Sequence, residues 1–205
     1  MAEPTTALTD WALALLASVL GRRLLAAGAE SRRLWGLSFL SLALAALAGG
    51  VFHALSPQSW PELRGALWSV TYAAIGLANA LLLAGAARSV LPARFRLPVF
   101  ILLGLGFATC LVIVRDRRTL GPVVVAGAVT LLLLLAFGLH ALARARPEAR
   151  PLLAGVLVSA AGGAVQALGL APHPHFNHND LFHVVQMAGL WLLFRAGLRL
   201  ADRER

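Results

Sequence analysis

Apolar residues along this 205-residue chain come in long blocks, not in the strict alternation of half-buried strands. Crossing the hydrocarbon core takes about 20 mostly apolar residues in helical form. Blocks of that size recur at 7–27, 34–55, 65–87, 97–114, 120–142, 151–170 and 180–200. Short clusters of Arg, Pro and Gly separate them, among them Arg32-Arg33, Pro57 and Pro61, Pro92 and Pro98, and Pro172 and Pro174. A lipid-embedded backbone must satisfy its own hydrogen bonds, so the pattern predicts an all-α bundle of seven transmembrane helices. Residues 1–205 form a single integral membrane domain on this reading. Gly104, Gly106, Gly127, Gly155, Gly162 and Gly163 are expected at close helix–helix contacts.

The polar punctuation also predicts orientation. With the N-terminus outside, the inner segments hold 14 arginines and the outer ones hold four, Arg64, Arg115, Arg117 and Arg118. The positive-inside rule therefore predicts an external N-terminus and an internal C-terminus. The acidic start, MAEPTTALTD, has no basic stretch ahead of the first apolar block, which is not the pattern of a secretory signal peptide.

Composition narrows the picture further. At 59% hydrophobic and 13% charged residues, the chain has too little polar surface to cover a water-soluble globule. All 18 basic residues are arginine, a usage expected of a GC-rich bacterial genome and hence of a bacterial cytoplasmic membrane. Without lysine no retinal Schiff base can form, which excludes a microbial rhodopsin. The net charge of +9 lies in clusters between apolar blocks, so the partner it implies is the lipid bilayer and not nucleic acid. The lone Cys110 permits no disulfide within the chain and reads as a packing residue.

Given that orientation, the polar residues converge on the outer half. Thr9 and Asp10 open the first span, and His53 closes the second. Ser69, Thr71 and Tyr72 lie early in the third, Gln166 late in the sixth, and Asn177 to Gln186 open the seventh. The inner half offers Asn79 and His140. Ionisable groups at bilayer depth are costly and by default mark a functional site. In the seventh span the helical repeat puts Asn179, His183 and Gln186 on one stripe, with Asp180 one turn before His183. Asp10 and Asp180 also suit helix N-termini, where acids are favoured. His173, His175 and His178 fall in a Pro-rich loop and read as solvated.

Phe52-His53-Ala54 and Leu181-Phe182-His183-Val184 resemble two motifs of the superfamily of alkaline ceramidases and progestin/adipoQ receptors. Those seven-helix proteins hold zinc with a His near the end of helix two and two His of an H-x-x-x-H in helix seven. The resemblance implies a zinc-dependent hydrolase of a lipid amide or ester, with a lipid-like substrate. It makes His53 and His183 zinc ligands, and by ligand type one of His178, Asp180 or Asp10 would serve as the third. Asp10, Asp180, Thr71 and Tyr72 become candidates around the reacting group. Asn179 stands in place of the first His of H-x-x-x-H, Gly49 in place of a Ser, and Thr71 near the place of an Asp. A five-residue step separates His178 from His183 by about 140° on a helix, so Asp180 is better placed as the third ligand. The opening Thr5 to Asp10 and the Asn177 to His183 segment also look like an uncharacterised bacterial family of seven-helix proteins. Another class remains open, a non-enzymatic receptor, transporter or assembly partner with a polar outer pocket. Haem held by His53 and His183 is a third idea.

Overall fold

The computed structural model describes residues 3–26, 28–56, 58, 60–117 and 121–203, with backbone alone over 114–117. Arg118, which belongs to the basic loop counted above, lies outside the described residues, as do Pro57 and Arg205. Seven helices account for almost all the described chain: α1 (Pro4–Leu25), α2 (Glu30–Ala54), α3 (Pro61–Val90), α4 (Ala93–Arg117), α5 (Gly121–Ala143), α6 (Ala149–Leu168) and α7 (His178–Gly197). Each apolar block has become one helix, extended by a few residues where Pro or Glu opens it. Pro61 heads α3 at a position where its missing N–H costs nothing. Pro98, expected to punctuate, lies inside α4. Its ring nitrogen cannot donate to the Arg94 carbonyl, so one intrahelical bond is lost there.

Five helices, α2 to α6, contain stretches long and apolar enough to cross a membrane, and this is the make-up of an integral membrane protein. α1 and α7 fall outside that set. They carry Asp10, Arg22 and Arg23, and Asp180, His183 and Arg195, respectively.

Sequential packing joins α1 to α2 and α2 to α3, and α6 to α7. α3 also meets α5, α5 meets α6, and α7 returns to α1, so six helices close a ring. α4 lies outside it, packed chiefly on α3. The core that fills the ring runs from Leu13 and Leu20 through Trp35, Phe39 and Leu82 to Leu134, Val156, Leu190 and Phe194. None of the described side chains of α4 is among its buried residues. Burial of this kind is packing against neighbours in place of lipid, and small residues set how closely helices approach. A Cβ on Gly21 would fall 2.9 Å from the Gly36 carbonyl oxygen, and one on Gly36 equally close to that of Gly21. Gly85 leaves the space filled by the Trp35 indole, whose N–H donates to the Leu82 carbonyl at 3.0 Å.

The expected glycine contacts divide. Gly155 meets Leu193, and Gly162 meets Val185 and Phe182. Gly104, Gly106, Gly127 and Gly163 face open space, a correction that follows from the peripheral place of α4 and the exposed faces of α5 and α6.

At the carboxyl end of the bundle, residues after α7 bind the helix ends around them. Asp202 accepts from the N–H groups of Glu30 and Ser31 at 3.0 and 2.9 Å, capping α2 from the far end of the chain. Arg88 pairs with Glu30 and lies 3.9 Å from Asp202. Arg203 donates to the Val90 carbonyl at 2.6 Å, Arg32 to that of Leu200 at 2.6 Å, and Arg146 to that of Ser89 at 3.0 Å.

Candidate functional site

The amino end of the bundle gathers side chains from α1, α2 and α7. Here α7 starts with a capping box, two donors satisfied reciprocally. The Asn177 side chain accepts from the N–H groups of Asn179 and Asp180, and Asp180 Oδ2 accepts from the Asn177 N–H at 2.7 Å. Both Asp180 oxygens are buried, and Oδ1 has no hydrogen-bond partner among the described residues. Asn177 also donates through Nδ2 to Thr6 Oγ1 of α1 at 3.3 Å.

One turn further along both helices, His183 lies between Thr9 and Asp10. Its Nδ1 is 2.9 Å from Thr9 Oγ1, and its Nε2 is 3.3 Å from Asp10 Oδ1. The Thr9 hydroxyl donates to the Thr6 carbonyl at 3.0 Å, which leaves its oxygen to accept and puts a hydrogen on His183 Nδ1. With one further proton between Nε2 and Asp10 Oδ1, on whichever atom, the pair is neutral. Asp10 is 5% exposed and His183 8%, and at such burial a neutral pair avoids a large desolvation cost. Asp10 occupies the room left by Gly49, where a Cβ would fall 3.1 Å from Asp10 Oδ2. α1 begins at Pro4, so Asp10 lies inside the helix and not at its N-terminus as expected.

His53 has a different partner. Its Nδ1 pairs with Glu3 Oε2 at 2.7 Å, and its carbonyl accepts from the Glu3 N–H at 3.2 Å. His53 and Asp180 are near enough to His183 for their charges to act on it. Among the described residues, however, no three His, Cys, Asp or Glu side chains stand together as a metal-holding group. A catalytic zinc takes three protein ligands. With both His183 nitrogens facing α1 side chains and no such group of three among the described residues, the arrangement as it stands does not fit zinc.

Several candidates lie elsewhere. Thr71 Oγ1 bonds the Leu67 carbonyl at 3.0 Å and lies 3.4 Å from that of Ala45. Tyr72 belongs to an aromatic stack in which Trp68 lies between it and Phe52, at ring separations of 4.9 and 4.5 Å. Arg64 lies over Phe52 and donates to the Phe52 and Leu55 carbonyls at 2.9 and 2.8 Å, closing α2. His178 is the first residue of α7. The stripe expected from Asn179, His183 and Gln186 divides between two neighbours. Asn179 accepts from Gln166 at 2.8 Å, and Gln186 makes a long 3.5 Å contact with Ser159, both on α6. His183 turns to α1.

Sequence reasoning overlooked Glu3 and Thr6. Their signal was the run of acceptors before Asp10: Thr6 stands one turn ahead of it on the same face.

A helical membrane bundle with a buried imidazole–carboxyl site at one end is the class that these observations define. The chain belongs to the family described as "Family of unknown function (DUF6962)", which matches residues 5–202. No curated protein and no solved structure matches it.

Proposed function

We propose that the protein is a non-enzymatic receptor, transporter or assembly partner of a bacterial cytoplasmic membrane. It crosses seven times with its N-terminus outside, as the arginine asymmetry supports. Its working element is the Thr9–His183–Asp10 contact between the first and last helices. One observation carries this reading: His183 Nδ1 lies 2.9 Å from Thr9 Oγ1 and Nε2 lies 3.3 Å from Asp10 Oδ1, so both edges of the ring face α1 and tie the first helix to the last. Protein purified in detergent is expected to fold without metal and to contain no stoichiometric zinc. Stoichiometric zinc that disappears in His53→Ala and His183→Ala would overturn the reading. Orientation has its own test: a C-terminal green fluorescent fusion should fluoresce, and a C-terminal alkaline phosphatase fusion should stay inactive.

A second reading is a zinc-dependent hydrolase of a lipid amide or ester. It is favoured by the collection of imidazole and carboxyl groups from α1, α2 and α7 at one end, within charge range of His183. Zinc-dependent hydrolysis of an amide- or ester-linked amphiphile by the purified chain would establish it.

A further inference from the structure

Side-chain contacts and single helical turns close a ring of side chains at the amino end. Asp180 bonds Asn177, and Asn177 bonds Thr6. Thr6 stands one turn before Asp10 on α1, Asp10 contacts His183, and His183 stands one turn after Asp180 on α7. Thr6 and Asp180 are each 1% exposed. Within this ring Asp180 Oδ1 is a buried acceptor with no partner among the described residues. Helix capping does not account for it, because Oδ2 alone serves the capping box. A buried carboxylate oxygen left bare is costly, and such atoms call for an unseen water or ion.

Charge counting indicates which. With one proton shared by the Asp10–His183 pair, an ionised Asp180 leaves the ring with a net charge of minus one. The α7 N-terminus offsets about half a unit, through N–H groups directed at the cap. Glu3 and His53, the next ionisable groups, pair with each other, and Glu3 reaches solvent. One monovalent cation would neutralise the ring. The atoms that line the ring are carboxylate and hydroxyl oxygens, hard donors suited to an alkali ion, with Asp180 Oδ1 the one lacking a partner among the described residues. The ring is too closed to admit a lipid headgroup, since Thr6, Asp10 and Asp180 are all at most 5% exposed.

We propose that the ring of Thr6, Asp10, Asn177, Asp180 and His183 is a binding site for a dehydrated sodium ion, held on Asp180 Oδ1 with oxygens of Asp10 and Thr6. The proposal rests on the reading of these residues as a tie between helices and not a zinc centre, and it supplies that tie with a ligand.

The test uses the full chain in detergent, with thermal unfolding followed in sodium chloride against choline chloride at equal ionic strength. Binding of radioactive sodium is counted alongside. Sodium should raise the unfolding temperature saturably and bind once per chain, with choline inert. Asp180→Asn and Thr6→Val should each raise the half-saturating sodium concentration at least ~tenfold, the loss of a ligand to a bound species being read as lost stabilisation. Thr6→Val keeps every charge and the α7 cap, so it remains informative should Asp180→Asn fail to fold. Equal unfolding in sodium and choline overturns the proposal, as does sodium stabilisation that both variants leave unchanged. A metal-free protein indifferent to sodium sinks the ion site alone, whereas stoichiometric zinc sinks the helix-tie reading beneath it.

Discussion

The two ends of the bundle are secured by opposite strategies. At the carboxyl end, guanidinium groups reach backbone carbonyls and Asp202 caps α2, in contacts that are numerous and partly wet. Each contact is cheap to lose, because water or a neighbouring arginine can replace it. At the amino end Arg64 likewise reaches carbonyls, but the tie between first and last helices rests on buried Thr6, Asp10 and His183 with half-buried Thr9, and no replacement is at hand. The lesson is that redundancy follows solvent: wet contacts are many and replaceable, and the buried tie is not.

Single substitutions should expose that difference. His183→Ala strips Asp10 and Thr9 of their shared partner. It should cost about 3–5 kcal/mol, the range for breaking a buried pair from one side, measured by denaturant unfolding in mixed micelles. Gly49→Val forces a side chain against the Asp10 carboxylate and should cost about 1–3 kcal/mol by overpacking in the same assay. At the other end, Asp202→Ala removes a helix cap and should cost only about 1 kcal/mol. Arg88→Gln should cost less than about 1 kcal/mol, an effect that shrinks further in high salt.

Asp202 also sharpens the contrast through pH. Partial burial pushes its carboxyl up, but the N–H groups of Ser31 and Glu30 and the charge of Arg88 outweigh this and hold it below its ordinary value of 3.8. A carboxyl held lower in the folded state contributes stability above the unfolded value and loses it as pH falls through the folded one. The stability gap between the wild type and Asp202→Asn should therefore hold steady from neutral pH down to about 4 and close only in stronger acid. A gap that closes near pH 6 would show that Asp202 is not what holds α2.

The seven helices were legible because a span of about 20 apolar residues has few alternatives in lipid. The gathering of Asp10, His53, Asp180 and His183 at one end was legible for a related reason: direction of travel fixes which end of each helix meets which. Partnership was not. Whether a residue on α7 faces α1 or α6 depends on how the helix is rotated, and Asp180 and His183 went one way while Asn179 and Gln186 went the other. The expected glycine contacts failed for Gly104 and Gly106 because composition does not reveal that α4 sits outside the ring.

Closure between first and last helices has a temporal side. Thr9 meets His183 across 174 positions of chain. At ~5–20 residues per second of synthesis, α1 waits roughly ten to thirty seconds for its partner. Through that interval the carboxyl of Asp10 must reside in or beside the bilayer unanswered. On the proposed seven-span reading, nascent chains halted before residue 183 should therefore hold α1 loosely at the interface, and its insertion should become fixed only once α7 emerges.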